Sequence, residues 1–313
     1  MFYVLLAVLC LVALCFAVGG YTFFAACGRG KEINWSDEAA VKASPFGQDY
    51  THISAGRQWL RDHRAQDVYM ANREGLRLHA SWVPAENPKG TIIFAHGFHS
   101  CGLSDFSLAF QLYYEQGMNI LLLTQRSHTP SEGKYITFGV KESEDMRDWI
   151  DYHNANLGAY PILCSGLSMG AATVMYLAGM DLPANVRGFV ADCGFSSPYE
   201  IISHVFTQKT HLPAWPFMWS AELFARFFAG FSLINTNSTQ TLRRNCRSIL
   251  LVHGLEDDFV PAQMTRRSFD ACAGDKHLLL VEGAGHGISF LVAREAYMEQ
   301  IHQLVKKVQN TDL

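Results

Sequence analysis

The sequence predicts an α/β fold: a mostly parallel, eight-stranded sheet with helices on both faces, a helical cap insertion and an N-terminal transmembrane helix. Three observations carry this reading. Short apolar runs alternate with helix-like stretches through most of the chain. One interval between strands, about 55 residues, is far longer than a crossover needs. Residues 2–27 contain no charged side chain.

That first stretch, Phe2 to Cys27, is rich in Leu, Val, Ala and Phe. About 20 apolar residues cross a bilayer core as a helix. A signal-peptide apolar region is shorter, about 7–15 residues, and follows basic residues, whereas Met1 is followed directly by Phe2. Residues 1–28 therefore read as an uncleaved single-span anchor. Phe24-Ala25-Ala26-Cys27 offers the alternative of a cleaved lipoprotein-type signal, with Phe where a small aliphatic residue is expected. Arg29 and Lys31 follow the span and favour a cytoplasmic main domain.

Residues 29–66 read as a polar connector with Pro45 and Gly47, and one helix near Ser54–Arg64. The regular domain then runs over residues 67–313. Asp67–Ala71 and Leu76–Val83 read as a hairpin around Asn72-Arg73-Glu74-Gly75. The strand series continues with Thr91–Ala95, Asn119–Thr124, Pro161–Ser165, Gly188–Asp192, Ser248–His253 and His277–Glu282. Helix-like periodicity fills Leu103–Gln116, Val140–Asn156, Met169–Met180, Ala262–Cys272 and Leu291–Val308. The order implies parallel strands joined by right-handed crossovers. The long interval holds an aromatic-rich insertion, about residues 196–242, that reads as a cap: a lid, or extra packed helices with no gating role.

Composition excludes some classes. The formal net charge is −4 and no run of Lys and Arg is present, so a nucleic-acid partner is not expected. Five cysteines lie beyond the anchor, an odd number without framework spacing, so buried free thiols are expected. No CxxC pair or His/Cys cluster suggests a metal. Asn34-Trp35-Ser36 and Asn237-Ser238-Thr239 match glycosylation acceptors, a pattern common by chance.

The most specific chemical signal is Gly166-Leu167-Ser168-Met169-Gly170, between a predicted strand and a predicted helix. This is G-x-S-x-G in the strand–turn–helix context of a nucleophile elbow. Small neighbours let strand and helix approach, and the tight turn lifts the Ser168 hydroxyl above the sheet edge. The Met169 N–H lies at the helix start, where an unpaired donor can face an oxyanion. A serine needs a base to take its proton. Candidates follow two later strands: His286 in Gly283-Ala284-Gly285-His286-Gly287, and Asp257 in Gly254-Leu255-Glu256-Asp257-Asp258-Phe259-Val260-Pro261, with Asp258 and Glu256 as alternatives. Ligands of open α/β sheets bind at such carboxyl ends of strands. The second oxyanion donor is expected after Thr91–Ala95, at the Phe98 N–H beside the flexible Gly97. His96 and His99 read as structural or pocket-lining.

The order HGF, GLSMG, HGLEDDFVP and GAGHG resembles the α/β-hydrolase superfamily, in particular its esterase, lipase and serine-aminopeptidase-like branch, including membrane-anchored bacterial members. The resemblance covers about Asp67 to Val308 and places the acid of HG-x-x-D-x-x-V-P on Asp257. Gln125-Arg126-Ser127-His128 with Ser131-Glu132-Gly133 resembles that family's R-x-H-G-x-S-x-G loop, with Thr129 in place of Gly and Thr124 where an acid is common. The resemblance implies a serine hydrolase without cofactor. Its expected substrate is a small-molecule or lipid carboxylic ester. A peptidase, amidase or thioesterase would use the same triad, and a non-catalytic membrane scaffold or a slow, receptor-like hydrolase would share the fold.

Overall fold

The computed structural model describes residues 1–30, 33–44, 47 and 50–310. Lys31 and Pro45 of the sequence reading lie outside them.

Eight strands form one sheet: β1 (Gln66–Ala71), β2 (Arg77–Val83), β3 (Gly90–Ala95), β4 (Met118–Thr124), β5 (Ile162–Leu167), β6 (Val186–Asp192), β7 (Ser248–Gly254) and β8 (Lys276–Val281). Their order is β1-β2-β4-β3-β5-β6-β7-β8. β2 is antiparallel to both β1 and β4, and every other pairing is parallel. The predicted hairpin turn is present. Asn72 Oδ1 accepts from the amides of Glu74 and Leu76, and Gly75 takes a φ of 79°. β3 and β7 are buried along their whole length, as strands covered on both faces must be.

Each face of the sheet carries its own apolar layer. Val140–Asn156 and Met169–Leu177 cover one face with Met146, Trp149, Val174 and Leu177. Phe106, Phe110, Ile301 and Val305 cover the other. Helix Tyr50–Asp62 belongs to the second layer. Its Trp59 packs there and donates from Nε1 to Gln111 Oε1 at 2.7 Å. The predicted connector helix is therefore longer at its start and docked. The predicted helix over Leu103–Gln116 is instead two short helices, Gly102–Phe106 and Phe110–Tyr114. They part at Ser107, where Gly56 of the crossing helix leaves no room for a Cβ. The last helix likewise divides at Ala293 into Ser289–Val292 and Arg294–Asn310.

The long interval folds as Pro198–Thr210, Trp215–Phe224, the π-turn Ala225–Ala229 and the short Ser238–Thr241. Asn237 caps the last of these, accepting from Thr239 N and Oγ1, which gives its triplet a structural role. The N-terminal helix Phe2–Cys27 is long and apolar enough to cross a membrane, with a mean hydropathy of 2.8 in its best window. All eight cysteines are free. Cys164, Cys193 and Cys272 are buried as expected, but Cys101 is partly exposed and Cys246 exposed, because Cys246 lies in the loop before β7.

Two glycines sit where backbones nearly touch. A Cβ on Gly166 would overlap the Gly170 carbonyl, and one on Gly170 would overlap the Ala95 carbonyl. Gly75, with its positive φ, has open space around it. Gly170→Ala should therefore cost about 3 kcal/mol or prevent folding, and Gly75→Ala about 1 kcal/mol. Urea titration of both variants checks the order; equal losses would contradict the packing argument.

Candidate active site

The carboxyl ends of β3, β5, β6, β7 and β8 meet at one sheet edge, and each delivers a residue there. β5 runs into the helix Met169–Leu177 through Ser168, whose backbone takes φ 55° and ψ −112°. Such a conformation is sparsely populated for a residue with a Cβ. The surroundings hold it: the Ser168 N–H donates to the Asp192 carbonyl at 2.8 Å, and its own carbonyl accepts from Ala172 N at 3.0 Å.

His286 lies in the loop after β8, followed by Gly287 at φ 72°. Its Nε2 is 2.9 Å from Ser168 Oγ, and its Nδ1 is 2.7 Å from Asp257 Oδ2. These distances suit the tautomer in which Nδ1–H donates to the carboxylate and Nε2 accepts from the hydroxyl. Of the three adjacent acids after β7, Asp257 is buried, whereas Glu256 and Asp258 face solvent. The structure thus brings Ser168, His286 and Asp257 together, and leaves the two alternative acids out.

Asp257 is held from four directions. Its Oδ1 accepts from Phe259 N at 3.0 Å and Val260 N at 2.8 Å. Its Oδ2 faces His286 and, at 3.2 Å, Nε2 of His253. Burial pushes this carboxyl up, but the hydrogen bonds with His253 and His286 outweigh it and hold it well below the usual range. His253, on β7, is fully buried between Thr265 Oγ1 and the Val260 carbonyl. The sequence reading missed this second imidazole, although its spacing of four from Asp257 across a turn was the signal.

The loop after β3 is pinned on both sides. Gly97 N donates to Asp105 Oδ2 at 2.6 Å, and Ser100 Oγ donates to Asp105 Oδ1 at 2.5 Å. His96 donates from Nδ1 to the Gly97 carbonyl at 2.8 Å and accepts at Nε2 from Gln125 N at 3.1 Å. Burial, with His128 nearby, lowers its pKa to about 3, so this ring stays neutral. Gln125 returns the contact by donating to the His96 carbonyl. Within this frame, Gly97 lies against Ser168 with ordinary van der Waals room for a Cβ. Among the described residues, neither the Phe98 N–H nor the Met169 N–H has a protein acceptor. Met169 follows Ser168 directly, and Phe98 lines the same cavity as Ser168. Arg126, in the loop after β4, makes no contact with Ser168; its guanidinium forms a two-pronged pair with the buried Asp145 at 2.6 and 2.7 Å.

A cavity of about 340 Å³ opens at this edge. Its walls include Phe98, Ser168, His286, Tyr113, Asp192 and Leu291. None of residues 196–242 lines it. The inserted helices stand beside the site, with Gln208 Nε2 donating to the Asp258 carbonyl at 3.4 Å. Beside these residues sits Cys193, whose sulfur lies within 4.8 Å of the nearest ligand atoms of Asp257 and His286. Burial pushes that thiol well up, which keeps it neutral and unreactive.

No family model matches the chain. Uncharacterized protein YqkD of Bacillus subtilis (strain 168) is 24% identical over 235 residues, covering 73% of this chain and 75% of YqkD. Uncharacterized protein YfhR of Escherichia coli (strain K12) is 22% identical over 252 residues, covering 79% of this chain and 82% of YfhR. Among solved structures, the Pyrococcus furiosus esterase Pf2001 superposes with a TM-score of 0.65 at 20% identity, over 79% of this chain and 93% of that one. The α/β hydrolase GrgF from Penicillium sp. sh18 gives 0.63 at 17% identity, over 79% and 99%. The chain therefore has the α/β-hydrolase fold.

Asp192, at the end of β6, is buried beside this cavity, and its Oδ1 lies 3.3 Å from Ser289 Oγ. Burial raises its pKa to about 6. The folded state then binds a proton that the unfolded chain releases near pH 4, so stability falls as pH rises from about 4 to 6 and is level above. Asp192→Asn removes that dependence. Relative to the parent, its stability should gain about 3 kcal/mol between pH 4 and pH 8, measured by urea titration. An offset independent of pH would contradict the assigned burial effect.

Proposed function

We propose that this chain is a serine hydrolase that cleaves carboxylic esters of small molecules or lipids through an acyl-enzyme on Ser168. The hydrogen-bonded line from Ser168 Oγ through His286 to the buried Asp257 carries this reading. Ser168 attacks the ester carbonyl as His286 Nε2 takes its proton. The imidazolium so formed is stabilised by the Asp257 carboxylate. The Phe98 and Met169 amides hold the developing oxyanion, and losing one such donor typically costs about 10²–10³ in rate. His286 then gives the proton to the leaving alcohol. Water, activated by the same imidazole, releases the acid.

The mouth of the cavity favours an apolar acyl group. Phe259, Ile288 and Leu291 line it and are partly exposed to solvent. The naming of Pf2001 as an esterase supports the ester reading. None of these steps calls on a cofactor. A peptidase, amidase or thioesterase would use the same residues, and substrate tests separate them.

Ser168→Ala should abolish both labelling by a fluorophosphonate probe and hydrolysis of p-nitrophenyl esters. Persistent labelling of this variant would place the nucleophile elsewhere. Asp257→Asn should lower kcat about 10³–10⁴-fold, whereas Glu256→Gln and Asp258→Asn should leave it near the parent value. A chain-length series of p-nitrophenyl esters beside aminoacyl amides decides the substrate class; turnover of the amides alone would overturn the ester reading.

A further inference from the structure

The N-terminal helix does not stand apart from the globule. Residues 2–14 are exposed on every side, but Gly19, Gly20, Thr22, Phe23 and Cys27 are buried, and the helix packs along the inserted helix Trp215–Phe224. The fit is close. A Cβ on Gly19 would overlap Ser220, and one on Gly20 would press on the Phe224 ring. Ser220 Oγ donates to the Cys15 carbonyl at 3.0 Å. Phe16 packs on Trp219 and Phe224, with ring centroids 6.0 and 5.0 Å apart. Small residues at a tight crossing, with a hydroxyl bonded across it, are features of helix pairs within membranes.

The outer face of that inserted helix is bare and apolar. Trp215, Trp219, Leu223 and Phe227 recur every fourth residue and are 71, 44, 48 and 84% exposed. Leu212 and Phe228 extend the patch. From Trp215 to Ala229 the charged residues are Glu222 and Arg226, which pair with each other at 2.5 Å. The same layer includes exposed faces of the apolar span, at Phe16, Tyr21 and Phe24.

Length sets the depth. The 13 residues that stand clear cover about 20 Å at 1.5 Å per residue. The hydrocarbon core is about 30 Å thick. A span built from this helix therefore also draws on residues docked to the insertion, and carries the insertion into the same leaflet.

We infer that the inserted helix Trp215–Phe224 and the following turn are embedded in the lipid bilayer, seating the hydrolase domain on the membrane by a broad apolar face as well as a tether. This rests on the N-terminal helix being a membrane span. Trp219, packed on Phe16 of the span, then lies within reach of the acyl chains.

The test uses the full chain in dioleoylphosphatidylcholine vesicles containing acyl-brominated phosphatidylcholine. The chain has six tryptophans and none lies in residues 2–27, so tryptophan quenching reports on the globule. Brominated lipid should quench the parent protein, and Trp215→Phe/Trp219→Phe should lose most of that quenching while still floating with vesicles. Equal quenching of parent and variant would overturn the inference, as would a floating protein that shows no quenching. A protein that fails to float would overturn the span itself. Concentration-dependent crosslinks through Cys introduced at Phe227, without quenching, would assign the face to a second copy of the chain. Circular dichroism of the double variant confirms that a lost signal is not lost folding.

Discussion

Three stretches of backbone meet at the elbow with no room for a side-chain carbon between them. The end of β5, the start of the following helix and the end of β3 come together at Gly166, Gly170 and Ala95. That crowding forces Ser168 into a left-handed turn, a strain of order 1–3 kcal/mol. Cooperative packing offsets it: the helix beyond the turn is buried along its length, and the N–H and carbonyl of Ser168 are tied to Asp192 of β6 and to Ala172 of the next helical turn. Because β5 lies between β3 and β6, the turn also fixes the distance from Ser168 to the Gly97-Phe98 loop. Geometry at Ser168 thus follows from the order of strands.

Two buried aspartates at neighbouring strand ends show how surroundings set charge. Asp257 faces two backbone amides and two imidazoles, and remains ionised despite burial. Asp192 lies beside hydroxyl groups, Ser289 and Tyr297, and burial dominates. The same side chain is therefore a fixed negative charge in one place and a group titrating at about pH 6 in the other.

Much of this was legible in the sequence. All eight strands lie close to where the sequence predicts them; the central parallel strands are apolar because both their faces are covered, whereas the edge strand β1 is antiparallel and largely exposed. The Gly166–Gly170 motif located the elbow because its glycines answer a steric demand that no other residue meets. What escaped depended on tertiary contacts. Nothing local in Leu103–Gln116 announces the helix that crosses at Ser107. His253 lay within a strand pattern, four residues from Asp257, and Asp105 and Gln125 reach the loop after β3 from 8 and 29 residues away. The aromatic insertion read as a cap, a lid or extra packed helices, but its packing on the N-terminal helix, a partner some 200 residues away, left no local signal.

The acyl-enzyme is the intermediate on which the functional account turns. Acid quenching during steady-state turnover of a slowly deacylated ester, followed by peptide mass spectrometry, looks for it directly. The account predicts one acyl group on the peptide containing Ser168, and none on that peptide when His286 is replaced by Ala. Sustained ester turnover with the adduct on another residue, or with no adduct under conditions where deacylation limits the rate, would contradict it.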